Sequence, residues 1–504
     1  MKRFAASILC TFLAIIMFAG PSWAGARGEL KIARWDDINT FDPGWMTSGD
    51  RELTIMKCLY NGLVKYKEGS WEIVPDLAES WDTAEDGKSV TFHLRKGVKF
   101  HKGYGEMTAE DVKFSFERII DPESSSSEKG NWGQLDRVEI IDTYTVKLVF
   151  KDRMVQLFTS TLPSNSGMIV SKNAATELGR EKFSFNPVGT GPYELDKWEP
   201  KKHVKLKAFK EYWGKQPAIS NVTFVPIVED ATCEMALRTK EIDIGRVALI
   251  NAGVYKNSRD LNLEVKPSLK HWWIGFTVNK PPFDNADLRM ACRYAIDVEK
   301  ILKAAFFDIA PRANTILPPG LLGHWEDAPA YKVDLKKAKE YLKKGGKPNG
   351  FKANLYIWPD EQVKVTAEVI KADLAQIGVD VDIQIKETGA FNKATTTGEP
   401  NMYLSYYNTT IDPSYAFSWF FSGEEWNLSK WSNATYDDLC SKGMTESDPN
   451  KRAALYVDAQ KEIDKDGWAI WLTHGVRVTA SQKDVDLGPL YPDGRLAPWT
   501  MSFK

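Results

Sequence analysis

Motifs that would identify an enzyme or a metalloprotein are missing from this chain of 504 residues. It contains no P-loop, no GxSxG nucleophile motif and no CxxC pair, so nothing supports ATP hydrolysis, serine-hydrolase chemistry or a zinc-ribbon site. The histidines show neither HxxH nor HxH spacing, which favours structural roles for His93, His101, His203, His271, His324 and His474. We therefore predict no catalytic activity, no cofactor and no metal site. A hydrolase built on two of the many carboxylates stays open as an alternative.

Cysteine is also scarce, with five residues spread along the chain. Cys10 lies in an apolar N-terminal run. The other four allow three disulfide pairings, between which spacing cannot choose: Cys58, Cys233, Cys292 and Cys440. Cys292 falls in an apolar helical pattern, which predicts a small buried residue there.

The chain has no strong excess of charge of either sign. Lysine and arginine number 66 against 68 acidic residues, a net charge of -2. The lysines at 336, 337, 339, 343 and 344 alternate with apolar residues at helical spacing, which indicates a solvated helix face. We therefore expect no nucleic-acid partner.

The N-terminus has the pattern of a secretory signal peptide. Lys2 and Arg3 precede an apolar run over 4–19, a Gly-Pro break and small residues around Ala24 and Ala26. The run is shorter than the roughly 20 residues that a membrane span needs, and Leu9 is too large for a lipoprotein processing site at Cys10. We predict that residues 1–26 are removed, which changes the net charge from -2 to about -4 because Lys2 and Arg3 are lost. No later apolar segment is long enough to span a bilayer, so the mature chain is expected to be free in the periplasm.

Periodicity along the mature chain indicates an α/β or α+β protein of two or three domains. We predict strands over 88–95 (continuing at 97–100), 142–150, 204–208, 221–226, 272–278, 353–358 and 379–385. We predict helices over 228–237, 286–306, 334–345, 361–376 and 450–466, and one that Thr108 and Asp111 open with an approximate capping box.

Several stretches together resemble the extracellular solute-binding proteins of family 5, the receptors of peptide and nickel importers. The resemblance rests on residues 77–81 (LAESW), 92–101 (FHLRKGVKFH), 108–112 (TAEDV), 186–193 (NPVGTGPY), 212–214 (YWG), 273–276 (WIGF), 281–284 (PPFD) and 295–297 (AID). These motifs follow one another in the family's order over essentially the whole mature chain. Gly and Pro at 187–192 have the composition of a tight turn, so we interpret that motif as scaffold.

The resemblance implies a two-lobed clamp of the type II periplasmic-binding-protein fold, with an extra subdomain in the first lobe. Lobe I would comprise residues 27–270, with the subdomain at about 60–185, and lobe II residues 271–474, with 475–504 returning to lobe I. Ligand would sit between the lobes and favour their closure. The implied partners are a small solute, an ABC permease and its ATPase subunits, and the chain is expected to be a monomer.

One position departs from the family pattern and bears on the ligand. Family peptide receptors commonly hold the peptide ammonium with an aspartate four residues before a proline, and an aromatic residue lies three before that aspartate. Counting back from Pro413 places Thr409 at the aspartate position and Tyr406 at the aromatic one. A micromolar ligand has about 8 kcal/mol of binding free energy in total, and a buried cation without its counter-ion costs roughly 3–5 kcal/mol. An ordinary peptide would then need another acid.

Asp36 and Asp37 are candidates for that acid, because the segment of Trp35, Asp37, Ile38 and Asn39 resembles the family's ligand-reaching first loop. Asp412 is a further candidate, with a turn cap as its alternative role. Aromatic residues that the resemblance places in the cleft favour stacking on sugar rings, planar groups or amines: Trp35, Trp132, Trp273, Tyr406, Tyr407 and Trp419.

The sequence thus predicts a transport receptor for a peptide or peptide-like solute. The same role for an oligosaccharide, a nickel chelate or another non-peptide solute remains open. So do a periplasmic hydrolase and a ligand-sensing or chaperone-like partner.

Overall fold

The computed structural model describes residues 28–46 and 50–504. The predicted signal peptide and Cys10 lie outside the described residues. The fold is α/β and two-lobed, with each lobe built around its own sheet.

The first lobe contains a mixed seven-stranded sheet. Its central strand, Glu29–Arg34, pairs in parallel with two strands from later in the chain, so that Ile32 lies opposite both Phe224 and Ile244. The strands in spatial order are Leu261–Pro267, Val476–Gln482, Ile244–Arg246, Glu29–Arg34, Asn221–Pro226, His203–Ala208 and Tyr193–Glu199.

A smaller antiparallel sheet forms a subdomain on this lobe. Its strands in order are Ala78–Thr83, Ser89–Leu94, Thr145–Phe150 and Leu135–Asp142. One core runs through both sheets, because Phe92 and Val146 pack in the same cluster as Leu30 and Phe224. Two small antiparallel pairs of strands complete the lobe: Val64–Tyr66 with Ile73–Pro75, and Val485–Asp486 with Ser502–Phe503.

The second lobe has a five-stranded sheet with a core on each face. Its strands in order are Asp380–Ile385, Lys352–Ile357, Met402–Asn408, Lys270–Phe276 and Ala469–Thr473. Side chains alternate along Lys270–Phe276, so Trp272 and Ile274 enter one core and Trp273 the other. Gly275 allows this packing, since a Cβ there would lie 2.1 Å from the Tyr403 ring.

The chain passes between the two sheets at two neighbouring places. Strand Leu261–Pro267 ends three residues before Lys270–Phe276 begins, and Ala469–Thr473 likewise precedes Val476–Gln482. Ser268 ties the crossings together, because its hydroxyl donates to the carbonyl of His474 at 2.9 Å and its amide donates to Gly475. This pair of crossings forms the hinge between the lobes.

Helices flank both sheets. In the first lobe they are Asp50–Leu59, Ala109–Ile120, Lys172–Phe183, Asp230–Arg238 and Ala252–Lys256. In the second they are Ala286–Ala295, Val298–Phe306, Leu335–Lys344, Glu361–Ala375, Thr388–Thr396, Pro413–Ser418, Ala434–Thr445 and Pro449–Asp466. The capping box of Thr108 and Asp111 is confirmed.

Three predicted elements were wrong, because their bounds in the structure differ from those predicted. The single helix predicted over 286–306 is two helices, because Ile296 is extended and Asp297 caps the second by accepting from the Lys300 amide at 3.2 Å. The strand predicted over 142–150 begins at Thr145, since Asp142 instead accepts from the Tyr144 amide and closes a hairpin turn. Residues 97–100 contribute only an isolated bridge between Lys99 and Glu106.

The motif at 186–193 has a packing role. Gly191 donates its amide to Leu59 and accepts from the His101 ring, and a Cβ on Gly191 would lie 2.5 Å from the Cys58 carbonyl oxygen. The turn therefore packs closely against the end of helix Asp50–Leu59, which agrees with the interpretation of this motif as scaffold.

Cys58, Cys233, Cys292 and Cys440 are all buried free thiols. Cys292 is fully buried, as its apolar surroundings predicted, and burial raises the pKa of its thiol. Among the helices that the structure describes, none has the length and apolar character needed to cross a bilayer.

Candidate functional site

The first lobe brings an exposed tryptophan to the loop after its central strand. Trp35 is 52% exposed, and the guanidinium of Arg246 lies 3.7 Å from the centre of its ring. Arg246 is held in turn by Asp230 at 2.5 Å. The loop thus presents a flat aromatic face with a fixed cation against it.

Asp37, next to this tryptophan, is bonded within its own lobe. Its carboxylate accepts from the amides of Ile38 at 2.9 Å and Lys201 at 2.5 Å, and from the indole of Trp198 at 3.4 Å. Ile38 is buried in the core, whereas Asn39 is exposed. The carboxylate therefore has a structural role in ordering the loop.

The second lobe carries a wall of three aromatic rings close to the hinge, which we call the aromatic wall: Trp272, Trp358 and Tyr406. The Tyr406 ring centre lies 4.7 Å from that of Trp272 and 5.7 Å from that of Trp358. The ammonium of Lys270 lies 4.3 Å from the Tyr406 ring centre. Trp358 and Tyr406 are half-buried, so the wall keeps exposed area.

Thr409 follows this wall at the end of strand Met402–Asn408. It is buried, its amide donates to Leu269 at 2.7 Å, and its hydroxyl donates to the Thr410 carbonyl at 3.2 Å. No negative charge stands at this position.

Asp412 is buried in an ion pair. Its two oxygens accept from Arg452 at 2.8 Å each, and it caps helix Pro413–Ser418 by accepting from the Ser414 amide at 3.0 Å. Burial alone would raise the pKa of this carboxyl, but the Arg452 guanidinium outweighs burial and holds the pKa below its ordinary value. The predicted cap is present, and the charge of Asp412 is already matched within the protein.

The aromatic candidates differ in their surroundings. Trp132 and Trp273 are fully buried, and the indole of Trp132 donates to the carbonyl of Ser166 at 3.1 Å. Tyr407 and Trp419 are half-buried and form a second group, with ring centres 4.9 Å apart. Packing is thus the role that the structure gives to Trp132 and Trp273.

The subdomain also touches the second lobe, away from the hinge. The Thr159 hydroxyl donates to Asp412 at 2.5 Å, and Arg153 donates to the Ser447 hydroxyl at 2.8 Å. Trp71, stacked at 6.0 Å on Tyr491, packs against the second-lobe core that contains Trp273. These contacts join the first lobe to the second at places other than the two crossings.

A small polar cavity lies within the first lobe, lined by Lys57, Asn61, Asp76 and Tyr212 among others. Its volume of about 30 Å³ is sufficient for a water molecule. Burial raises the pKa of Asp76 to about 6 and lowers that of Lys57 to about 8. The described residues contain no group of three or more histidine, cysteine, aspartate or glutamate side chains placed to hold a metal ion.

Sequence reasoning missed Lys270, Trp272 and Trp358. Trp358 lies at the end of a predicted strand, directly before Pro359, and site residues often lie where a strand runs into a loop, so a signal existed. Lys270 carried no such signal. Its proximity to Tyr406 depends on the pairing of two strands far apart in the chain, Lys270–Phe276 and Met402–Asn408, in which Lys270 lies opposite Asn408.

The chain is similar to known proteins over most of its length. The profile of the bacterial extracellular solute-binding proteins, family 5 (middle region), matches residues 72–428. The dipeptide-binding protein of Escherichia coli K12 is 31% identical over 485 residues, covering 88% of this chain and 89% of the relative. A glutathione-binding protein of Pectobacterium atrosepticum is 29% identical, covering 95% and 94%.

A solved structure agrees with these relatives. The DppA periplasmic binding protein of Helicobacter pylori, in complex with the peptide STSA, superposes with a TM-score of 0.76 at 30% identity, covering 94% of this chain and 98% of that one. The relatives and the solved structure thus cover most of the chain, and the family profile covers residues 72–428 within it. This chain belongs to family 5 of the bacterial extracellular solute-binding proteins.

Proposed function

We propose that this protein is the periplasmic receptor of an ABC importer, which captures a peptide or peptide-like solute between its lobes and delivers it to a membrane permease. The observation that carries the proposal is the pair of crossings at Ser268 and His474, which joins two separately cored lobes at one place about which they can move. Membership of the family supports the receptor role. Two relatives of this chain are named as a dipeptide-binding protein and a glutathione-binding protein.

The proposed solute site lies between the Trp35 loop and the aromatic wall. Trp35, Tyr406 and Thr409 are its first candidates, with Asn39, Tyr407 and Trp419 around them. Asp37, Asp412, Ile38, Trp132 and Trp273 support this site from within each lobe, because their polar atoms or rings are engaged by the protein.

A ring-containing solute such as an oligosaccharide is the second candidate. The aromatic wall favours it, since flat apolar faces stack on sugar rings. In either case the chain acts as a receptor without catalytic activity, as a monomer, and relies on separate permease and ATPase subunits.

The test begins with protein exported by its own signal sequence and purified without denaturation. Native mass spectrometry should find a peptide-like solute bound to a chain that begins after Ala24 or Ala26. Small-angle scattering should show a smaller radius of gyration with solute than without it. Deleting the gene should abolish uptake of that solute, and turnover of the solute by the purified protein would contradict the proposal.

A further inference from the structure

A threonine of the first-lobe subdomain is bonded to an acid of the second lobe. The Thr159 hydroxyl donates to Oδ2 of Asp412 at 2.5 Å. The chain itself passes between the lobes elsewhere, at the crossings beside Ser268 and His474. Donor and acceptor therefore belong to bodies that move relative to one another when the hinge opens, and a rotation about the crossings would separate them.

Asp412 is held in place by its own lobe. Arg452 donates to both of its oxygens at 2.8 Å, and the Ser414 amide donates to Oδ1 at 3.0 Å. These bonds lie within the second lobe and remain when the lobes separate. The carboxylate is thus a prepared acceptor that needs no ordering as the lobes close, and hydrogen bonds to a charged acceptor are stronger than neutral ones.

The donor is held in the first lobe in the same way. Thr159 lies in the π-helical turn Leu157–Thr161, a rare backbone geometry that is frequent at functional sites. Its carbonyl accepts from the Tyr66 hydroxyl at 2.5 Å, and Tyr66 is buried in the first lobe. Each half of the contact is therefore fixed before the two halves meet.

A second hydrogen bond joins the subdomain to the same part of the second lobe. The Arg153 guanidinium donates to the Ser447 hydroxyl at 2.8 Å. Two further bonds, at 3.4 and 3.2 Å, go from Arg153 to the Asp86 carbonyl and orient the guanidinium from the first lobe. Ser447 directly precedes the cap of helix Pro449–Asp466, which also carries Arg452. The two contacts between lobes thus end close to one helix.

The acceptor of the first contact is also close in sequence to the proposed solute site. Asp412 follows Thr409 by three residues, and the Thr410 hydroxyl donates to the Asp412 carbonyl at 3.0 Å. One short segment, residues 409–412, therefore contains both a first candidate for solute contact and the carboxylate that meets the other lobe.

We infer that the contacts of Thr159 with Asp412 and of Arg153 with Ser447 form an interlobe latch, which stabilises the closed arrangement and sets how fast a solute leaves. This inference rests on the proposed receptor function and assigns its release step to contacts between protein groups. Because the latch contributes to closure through the protein alone, it acts alike on every solute that the cleft holds.

Electron-resonance distance measurements on the dialysed mature chain test the latch without any solute. Spin labels at Glu123→Cys in the first lobe and Glu368→Cys in the second report the closed-to-open ratio, since both positions are exposed and the four described native thiols are buried. Thr159→Val should lower that ratio at least about tenfold, because it removes a hydrogen bond to a charged acceptor. Thr159→Ser retains the hydroxyl and should keep the ratio within about threefold.

Thr161→Val is the matched control. Its hydroxyl belongs to the same turn but donates to the Asn131 carbonyl within the first lobe, at 3.5 Å. This variant should keep the wild-type ratio, whereas Ser447→Ala should lower it about two- to fivefold. A purely structural role for Thr159 would lower the melting temperature of Thr159→Val and leave the ratio unchanged.

Release is measured by stopped flow with three probes, Ala-Ala, Ala-Phe and glutathione. Each probe that binds the wild-type chain should leave Thr159→Val at least about tenfold faster, and by the same factor for all of them. An effect confined to one probe would make Thr159 a solute contact and overturn the latch.

The inference is also overturned if Thr159→Val has the wild-type distance distribution, or if Thr161→Val shifts the distribution equally. In either case the receptor function stands as long as a probe or the co-purified solute closes the lobes. A chain that carries no solute and whose label distance stays the same with every probe would instead count against the receptor function.

Discussion

Asp412 and Arg452 form a buried, two-pronged ion pair, with both oxygen–nitrogen distances at 2.8 Å. The pair lies in the second lobe, yet the Thr159 hydroxyl of the first-lobe subdomain donates to the same carboxylate. An acid that the sequence offered as a ligand group is thus part of the framework, and its contact with Thr159 joins the two lobes.

Replacing Arg452 should destabilise the protein strongly. Arg452→Met leaves the buried Asp412 carboxylate without its counter-ion, which costs roughly 3–5 kcal/mol of unfolding free energy. Denaturant titration measures the loss. Lys461→Ala is the control: it removes a half-exposed ion pair with Asp458 and should change stability by less than about 0.5 kcal/mol. Equal stability of Arg452→Met and wild type would show that the pair is dispensable.

The strand glycine at 275 should not tolerate a methyl group. Gly275→Ala would place a Cβ 2.1 Å from the Tyr403 ring and force the second-lobe core apart, at a cost of about 1–3 kcal/mol. Gly253→Ala is the control, because a Cβ there meets nothing within 4 Å and lies in helix Ala252–Lys256. Thermal unfolding should show a lower melting temperature for the first variant and an unchanged or higher one for the second.

Acidification should destabilise the protein through its buried histidines. Burial lowers the pKa of His101 and His474 to about 4 and that of His271 to about 3. The unfolded chain binds these protons near pH 6.5, so stability is lost as pH falls through that value, by about 2 kcal/mol per histidine at pH 5. Asp76 acts in the opposite sense, because its raised pKa of about 6 adds stability as pH falls below it.

His271→Phe isolates one of these contributions. Neither ring nitrogen of His271 has a hydrogen-bond partner among the described residues, and the ring stacks on Trp273 at 5.4 Å. The phenylalanine variant should therefore be at least as stable as wild type at pH 7.5, and its melting temperature should fall less between pH 7.5 and pH 5. A parallel fall in both proteins would contradict the assignment.

Two tryptophans proposed as site residues from sequence should behave differently. Trp132→Ala empties a fully buried position and should cost about 3–5 kcal/mol of unfolding free energy. Trp35→Ala removes a half-exposed ring and should leave stability within about 1 kcal/mol while weakening solute binding. Calorimetry with the co-purified solute and denaturant titration together separate the two effects, and unchanged binding by Trp35→Ala would remove that residue from the site.

The sequence alone determined the family and most of the elements. Alternating patterns such as that over 88–95 gave strands, because the side-chain period of a half-buried strand is written directly into the residues. The capping box at Thr108 is likewise local, since its two bonds join residues three apart. Where local patterns continued through a cap, as at Asp297, a single helix was predicted where two exist.

Only the tertiary structure decided which candidates are engaged by the protein. The carboxylate of Asp412 is matched by a residue 40 positions away, and Trp132 is buried by the fold of the whole subdomain. Lys270 reaches Tyr406 because two distant strands pair in one particular register. Burial, ion pairing and register depend on contacts between distant parts of the chain, and the charge of the proposed site depends on all three.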